Sequence, residues 1–342
     1  MPSSCIDAVI TDPPAGINFM GKAWDSDRGG ATVWIAWLTK ILAECYRLLR
    51  PGGHIFVWAL PRTSHWTATA IENAGFELRD RVLHLFGNGM PKSLDVAKAI
   101  DKRLGVARIP VGPNPNHRAV SGVNYRGIYA GGNTGAAVVT RAGSRAARAW
   151  EDWQTGLKPN VEDWWLGRKP LEGTVADNVL QHGVGALNIG ACRLGPRDRT
   201  NYGLSNATRR QGATYGAPSA SADFDASKGR WPGNVILGEE IVPLLAPHDR
   251  FFYTPKPNAR EKALKNGRKN SHPTVKSVAL MRHLCRLVTP ERGLVLDPFA
   301  GSGSTGVACA LEGLSFIGVE QDQAYHEIAL ERVIEAFNPG RP

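Results

Sequence analysis

The sequence predicts an α/β protein built on a mostly parallel sheet with helices on both faces, and three observations lead there. Short apolar runs alternate with segments of helical periodicity over the first hundred residues. Residues 293–322, GLVLDPFAGSGSTGVACALEGLSFIGVEQD, read as strand, glycine turn, helix and second strand. No apolar run approaches the roughly 20 residues needed to cross a bilayer.

Taken in order, IDAVIT (6–11) is a short buried strand. Trp34, Leu38, Ile41, Leu42, Cys45 and Leu49 recur at helical spacing, and RPGG (50–53) is expected to end that helix. HIFVWAL (54–60) is the next strand. A helix over 64–74 stops at Gly75, a strand pattern occupies 76–86, and Ser93 is placed to cap a helix carrying Leu94, Ala97, Ile100 and Leu104 before Gly105. From 105 to 230 the texture turns to Gly, Asn, Ser and Arg with weak periodicity, the mark of an inserted irregular module. Within it SRAARAWEDW (144–153) reads as a helix with Ser144 as N-cap. Order returns with NVIL (234–237). The expected division is therefore 1–104, an inserted region 105–230, and 231–342.

Lys and Arg number 41 against 31 Asp and Glu, for a net charge of +10. Such an excess favours a polyanionic partner through phosphate neutralisation, without separating DNA from RNA or an acidic protein. Five cysteines stand singly, so neither a disulfide framework nor a zinc cage is indicated, and no metal is expected. The amino terminus lacks a secretory pattern, which with the short apolar runs gives a cytoplasmic expectation.

Gly301, Gly303 and Gly306 form G-x-G-x-x-G after the strand LVLD, open a helix, and are followed by Glu320 at the tip of the next strand. Glycines let backbone approach a ligand, a helix N-terminus favours a negative group, and Glu320 can accept hydrogen bonds from a ribose diol. A dinucleotide and S-adenosylmethionine (SAM) both carry that ribose. Asp297 and Phe299, able to meet an ammonium and an adenine face, suit an amino-acid-bearing cofactor better than a pyrophosphate.

TDPP (11–14) also sits where a buried strand ends. Ligands of open parallel sheets collect beyond the carboxyl ends of the strands, so two such loops face one crevice if their strands are neighbours. Proline restrains the residue before it and has no N–H, so the Asp12 carboxylate and the Pro13 carbonyl are presented as rigid acceptors. Two acceptors fit one amino group. Holding both N–H bonds of an exocyclic base amine would turn its lone pair towards a sulfonium methyl and stabilise the charge growing on nitrogen. The bland reading of Asp12 is a turn acid.

These residues resemble the amino-methylating DNA methyltransferases of the permuted beta group, in which the catalytic D-P-P-Y precedes F-x-G-x-G. Asp12-Pro13-Pro14 matches the first motif and Phe299-Ala-Gly301-Ser-Gly303 the second. HPTVKS (272–277) is similar to the family's H-P-T-x-K-P and GVEQD (318–322) to its ribose-binding acid. FMGKAWD (19–25) and RKPLEGTVADNVLQHGVGALNI (168–189) resemble stretches of phage-type members. The resemblance implies a circularly permuted, Rossmann-like SAM-dependent methyltransferase fold and sequence-specific methylation of double-stranded DNA, restriction-linked or orphan. Asp12, Pro13, Pro14 and position 15 would engage a flipped base, and Asp297, Phe299, Gly301, Gly303, Ser304 and Thr305 would surround SAM. Glu320 would bind the ribose, and Thr274 and Lys276 would approach the methionine end. The inserted region would recognise the target, and a homodimer is the family analogy. From the residues themselves, Arg141, Arg145, Arg148, Arg209 and Arg210 within that region, and Lys92 in the strand-end loop FGNGMPKS (86–93), are candidate DNA contacts beside the bland reading of solvated surface charge.

Asp rather than Ser before the prolines leans to N6-adenine over N4-cytosine. Two departures stand out. Ser277 replaces a proline, a change expected to alter loop stiffness only. Ala15 replaces the aromatic that stacks on the extruded base, a contact that returns about 1–3 kcal/mol against a flipping cost of a few kcal/mol. The chain is thus either an engineered, impaired Tyr→Ala form or a natural variant that stacks the base on another ring, Phe19 and Trp24 being candidates. A DNA-binding protein with a methyltransferase shell is the competing class.

Overall fold

The computed structural model describes residues 1–87, 89, 93–115, 138–195, 229–245, 252–255 and 270–338. Lys92, Arg209 and Arg210 lie outside these residues.

The chain runs β1 (Ile6–Thr11), α1 (Ala31–Leu48), β2 (Leu49–Ala59), α2 (Ser64–Asn73), β3 (Glu77–Leu85) and α3 (Val96–Leu104). Then come β4 (Ile109–Pro113), β5 (Val138–Arg141), α4 (Arg145–Arg148), β6 (Val161–Arg168) and α5 (Val175–His182). The remainder is β7 (Val235–Leu237), α6 (Val242–Leu245), α7 (Val278–Val288), β8 (Leu294–Asp297), α8 (Ser304–Leu311), β9 (Ser315–Gly318) and α9 (Gln323–Phe337).

Seven strands form one sheet in the order β7-β3-β6-β2-β1-β8-β9, while β4 and β5 make a separate ribbon. The pairs β1–β2, β1–β8, β8–β9 and β3–β7 are parallel; β6 alone runs antiparallel, to both β2 and β3. The sheet is thus the mostly parallel one expected. Side-chain alternation explains its two buried faces. Ala8, Ile10, Phe56 and Trp164 point into one core with Leu280, Met281 and Leu284 of α7. Val9, Ile55 and Val57 point into the other, against Trp34, Leu38 and Leu42 of α1. The apolar spacing read in the sequence of α1 is this packing face.

Four expectations need correction. RPGG does not terminate α1: Leu49 is already extended, and 50–53 lie inside β2. Gly52 makes this feasible, because its left-handed φ of 75° turns its N–H onto the Lys169 carbonyl. Ser93 is not the cap of α3; Asp95 is, accepting from the Lys98 N–H, while the Ser93 hydroxyl accepts from Thr155 and Gly156. The helix at 144–153 is a single turn, α4, with Ser144 capping it as expected. Finally, the span 105–230 contains β6, which occupies the middle of the main sheet. Its run VEDWWLGR alternates, with Trp164 and Leu166 on one face and Trp165 on the other, which marks a central strand rather than an irregular insert.

Candidate active site

The sheet brings the two strand ends together. β1 and β8 are neighbours, with Ala8 opposite Val295 and Val9 opposite Leu296. At their carboxyl ends the Thr11 hydroxyl donates to Asp297 Oδ1 at 2.6 Å. Thr11 lies 286 positions along the chain from the carboxylate that anchors it, and Asp12, the next residue, therefore stands beside the glycine turn.

On the glycine side, Asp297 is buried and also accepts from the Phe299 N–H (3.0 Å) and the Thr305 hydroxyl (2.6 Å). Burial pushes its carboxyl up to about 6, with those three donors opposing. Gly301 and Gly303 both take left-handed φ, 52° and 78°. The first gives its N–H to Glu320 Oε2 (2.8 Å), and the second is the N-cap of α8. A Cβ at Gly301 would lie 3.0 Å from His272 Nε2, so the HPTVKS loop closes directly over the turn. Gly306 has another reason: a Cβ there would meet Phe316 at 2.6 Å, so it permits helix-strand packing. Ser304 is buried at the start of α8, near the Arg332 guanidinium, which also binds the Ser302 carbonyl and hydroxyl. Phe299 ends an aromatic chain, 5.7 Å from Trp37, which in turn lies 6.0 Å from Trp34.

These residues fit a nucleoside cofactor. The Glu320 carboxylate accepts one N–H on each oxygen, from Gly301 and Asp322, and keeps acceptor capacity for a diol. The glycine turn leaves a cradle that a Cβ would fill, and Phe299 supplies a half-buried ring beside it.

The loop after Asp12 is held by a residue the sequence reading did not single out. Asp25, 1% exposed, accepts from the Gly16 N–H (3.0 Å) and the Phe19 N–H (2.7 Å), while its carbonyl takes the Asn18 N–H. Gly16 has φ 69° and packs against Trp34, and the Thr63 hydroxyl binds the Ala15 carbonyl at 2.8 Å. Pro13 is buried, Pro14 and Ala15 half-buried. Phe19 and Trp24, both half-buried, lie in the two short 3-10 turns of this same loop, Phe19–Gly21 and Ala23–Asp25.

Asp12 also faces charges. Lys276 Nζ is 3.5 Å from Asp12 Oδ2, 3.4 Å from Glu162 Oε1 and 3.9 Å from the centre of the Trp58 ring. Glu162 Oε2 is 3.5 Å from His84 Nδ1. The register explains the meeting: Thr11 pairs Val57, so Asp12 is level with Trp58, and Glu162 pairs His84 across β6 and β3. Because β6 is reversed, its second residue arrives at the rim where the parallel strands end. Burial pushes Asp12 up to about 7, with the Lys276 ammonium opposing and the Glu162 and Asp297 carboxylates adding to the rise. Burial also pushes Glu162 upward, but Lys276 and His84 outweigh it and leave it at about 2. Lys276 thus stands against Asp12. Thr274 lies in the same loop, its N–H directed at His272 Nδ1. Ser277 does more than soften that loop, since it is the N-cap of α7.

Thr11, Asp25, His84 and Glu162 were missed. Asp25 had a signal in the FMGKAWD run, whereas Glu162 had none, because only pairing across the sheet brings it near Asp12. Arg141, at the end of β5, and Arg145 and Arg148 of α4 are exposed, beside the exposed Trp150 and Trp153. No helix among the described residues is long and apolar enough to cross a membrane.

A family model described as DNA methylase (N6_N4_Mtase) matches residues 6–102 and 137–331. The type II methyltransferase M.HindIII of Haemophilus influenzae is 24% identical over 312 residues, 90% of this chain and 72% of that protein. M2.DpnII of Streptococcus pneumoniae is 42% identical over 67 residues, 20% of this chain and 25% of that one. Among solved structures, the PvuII DNA methyltransferase (cytosine-N4-specific) aligns over 100% of this chain and 83% of its own, with a TM-score of 0.51 and 14% identity, a likeness of fold.

Proposed function

The chain belongs to the DNA methylase family of N6/N4 amino-methyltransferases, and we propose that within it this protein methylates the N6 amine of an adenine turned out of duplex DNA. The family's cofactor is S-adenosylmethionine, which supplies an activated methyl group on a sulfonium. The observation that carries the reading is the Thr11–Asp297 hydrogen bond, which fastens the acid loop to the cofactor turn at 2.6 Å.

On this reading the Asp12 carboxylate and the Pro13 carbonyl each accept one N–H of the target amine. Their rigidity turns the nitrogen lone pair towards the glycine turn and stabilises the positive charge that builds on nitrogen. Ionised Asp12 is the stronger acceptor and can take the proton released from the alkylated nitrogen and pass it to solvent, the cofactor being left as its neutral thioether once the methyl–sulfur bond has broken. Asp297, its oxygens engaged by Thr11, Phe299 and Thr305, orients the turn, while Phe299 stacks the cofactor base and Glu320 takes the ribose. Ser304, Thr274 and the backbone of Gly301 and Gly303 complete the pocket wall. Arg141, Arg145 and Arg148 contact DNA phosphates from the β4–β5 and α4 module. With Ala15 at the stacking position, Phe19 or Trp24 of the adjoining loop supplies the ring.

The test is methyl incorporation from labelled SAM into duplex DNA, followed by identification of the modified base, for the chain and its Ala15→Tyr variant. N6-methyladenine with similar rates in both supports the reading and a substitute ring; a rate restored only by tyrosine shows that position 15 limits the enzyme. N4-methylcytosine would reassign the base. SAM binding without incorporation in either protein would favour the non-catalytic shell that Ala15 suggests.

A further inference from the structure

Asp12 does not own its counter-ion. Lys276 stands between two carboxylates at nearly equal distances, 3.5 and 3.4 Å, with only 12% of its side chain exposed. Asp12 and Glu162 are themselves about one-fifth exposed, so solvent screens this group weakly. Among the described residues no second cation lies within ion-pair distance of Asp12. The Trp58 face, 3.9 Å away, helps confine the ammonium. The other titratable groups facing this trio are Asp297 at the end of β8, His84 on β3 and His272 in the loop before α7.

We propose that Glu162 is a positioning residue for the transfer: by sharing the Lys276 ammonium with Asp12, it sets how much of that cation the reacting carboxylate receives. The inference rests on the role given to Asp12 above. A carboxylate fully claimed by an ammonium is a poorer acceptor for an incoming amine, whereas one with no cation nearby, buried and beside Asp297, takes up a proton and loses the charge that makes it a strong acceptor. Division of one ammonium between two acids keeps Asp12 ionisable and still free to bind. On its other side Glu162 faces the His84 ring, with Oε2 3.5 Å from Nδ1. The link runs through geometry that the sheet dictates, since Glu162 and His84 are paired residues of β6 and β3.

The experiment follows Asp12 directly. In the full chain without DNA or SAM, carboxyl resonances of 13C-labelled aspartate are titrated, and Asp12 is assigned as the signal lost in Asp12→Asn. Glu162→Gln should lower the Asp12 midpoint by about one pH unit or more, because Lys276 then serves Asp12 alone, and Lys276→Met should raise it by a similar amount. Glu162→Asp, which keeps the charge, should bring the midpoint back towards its original position. In parallel, the acid limb of kcat/KM for methyl transfer should move down with Glu162→Gln. An unchanged or raised midpoint in Glu162→Gln, no rise in Lys276→Met, or a midpoint that moves without the acid limb would each overturn the proposal. Absence of methyl transfer in every variant, with the midpoints moving as stated, would instead defeat the assignment of function.

Discussion

Asp297 and Asp12 lie at the carboxyl ends of adjacent strands and are held in opposite ways. Asp297 is surrounded by neutral donors, two hydroxyls and one amide, two of them supplied within eight residues. Asp12 is set among charges brought from distant segments, Lys276 from the loop before α7 and Glu162 from β6. A group satisfied by neutral donors is a structural tie whose state changes little when a ligand arrives. A group balanced by shared charge responds to whatever enters, which is what an acceptor for a reacting amine requires.

The sharpest way to break this contrast is to neutralise each acid in turn. Asp12→Asn should lower kcat by about 10²–10³-fold, the range seen when one preorganised partner of a developing charge is removed, while SAM affinity by calorimetry changes little. Asp297→Asn should weaken SAM binding as well, since it loosens the glycine turn. Acidity offers the next largest effect. Burial holds Asp12 at about 7, so its ionised fraction, and with it kcat/KM, should fall about tenfold per unit as pH drops below that value. The same raised value means that ionising Asp12 costs the folded state, a burden absent at low pH and complete above about 7. Asp12→Asn should therefore gain thermal stability relative to the unsubstituted chain as pH rises from 5 to 8.

Smaller effects test the loop and the tie. Gly16→Ala places a Cβ 2.6 Å from Trp34 Nε1 at a φ of 69° and should cost about 1–3 kcal/mol in urea unfolding. Thr11→Val removes the bond between the two halves of the site and should cost about 1–3 kcal/mol, with a loss of transfer rate that Thr11→Ser restores. Smallest of all, Ser277→Ala deletes the N-cap of α7 and should cost about 0.5–2 kcal/mol.

The same contrast explains what could be read from the sequence. The cofactor side is local: strand, turn, helix and acid follow one another within thirty residues, so LVLDPFAGSGSTG and GVEQD announced it. The acid loop was legible at Asp12, Pro13 and Pro14, whose backbone restrictions carry their own message. Glu162 was not, because nothing near it in VEDWW distinguishes a rim carboxylate from a solvated one, and only the reversed direction of β6 gives it its place. The boundary at 105–230 suffered for a similar reason. Glycine-rich texture on both sides of β6 masked eight residues of central strand, and RPGG looked like a stop because a left-handed glycine at the start of a strand has the same spelling as one after a helix.

The reversed strand has one more consequence. Leu85, the last residue of β3, is paired with Val161, the first of β6. The chain therefore leaves the sheet after Leu85 and re-enters it at Val161 in adjacent positions on one rim. A segment anchored in this way can be lengthened, shortened or exchanged without rethreading any buried strand, so the sheet and the carboxylates at its strand ends stay assembled whatever that segment carries.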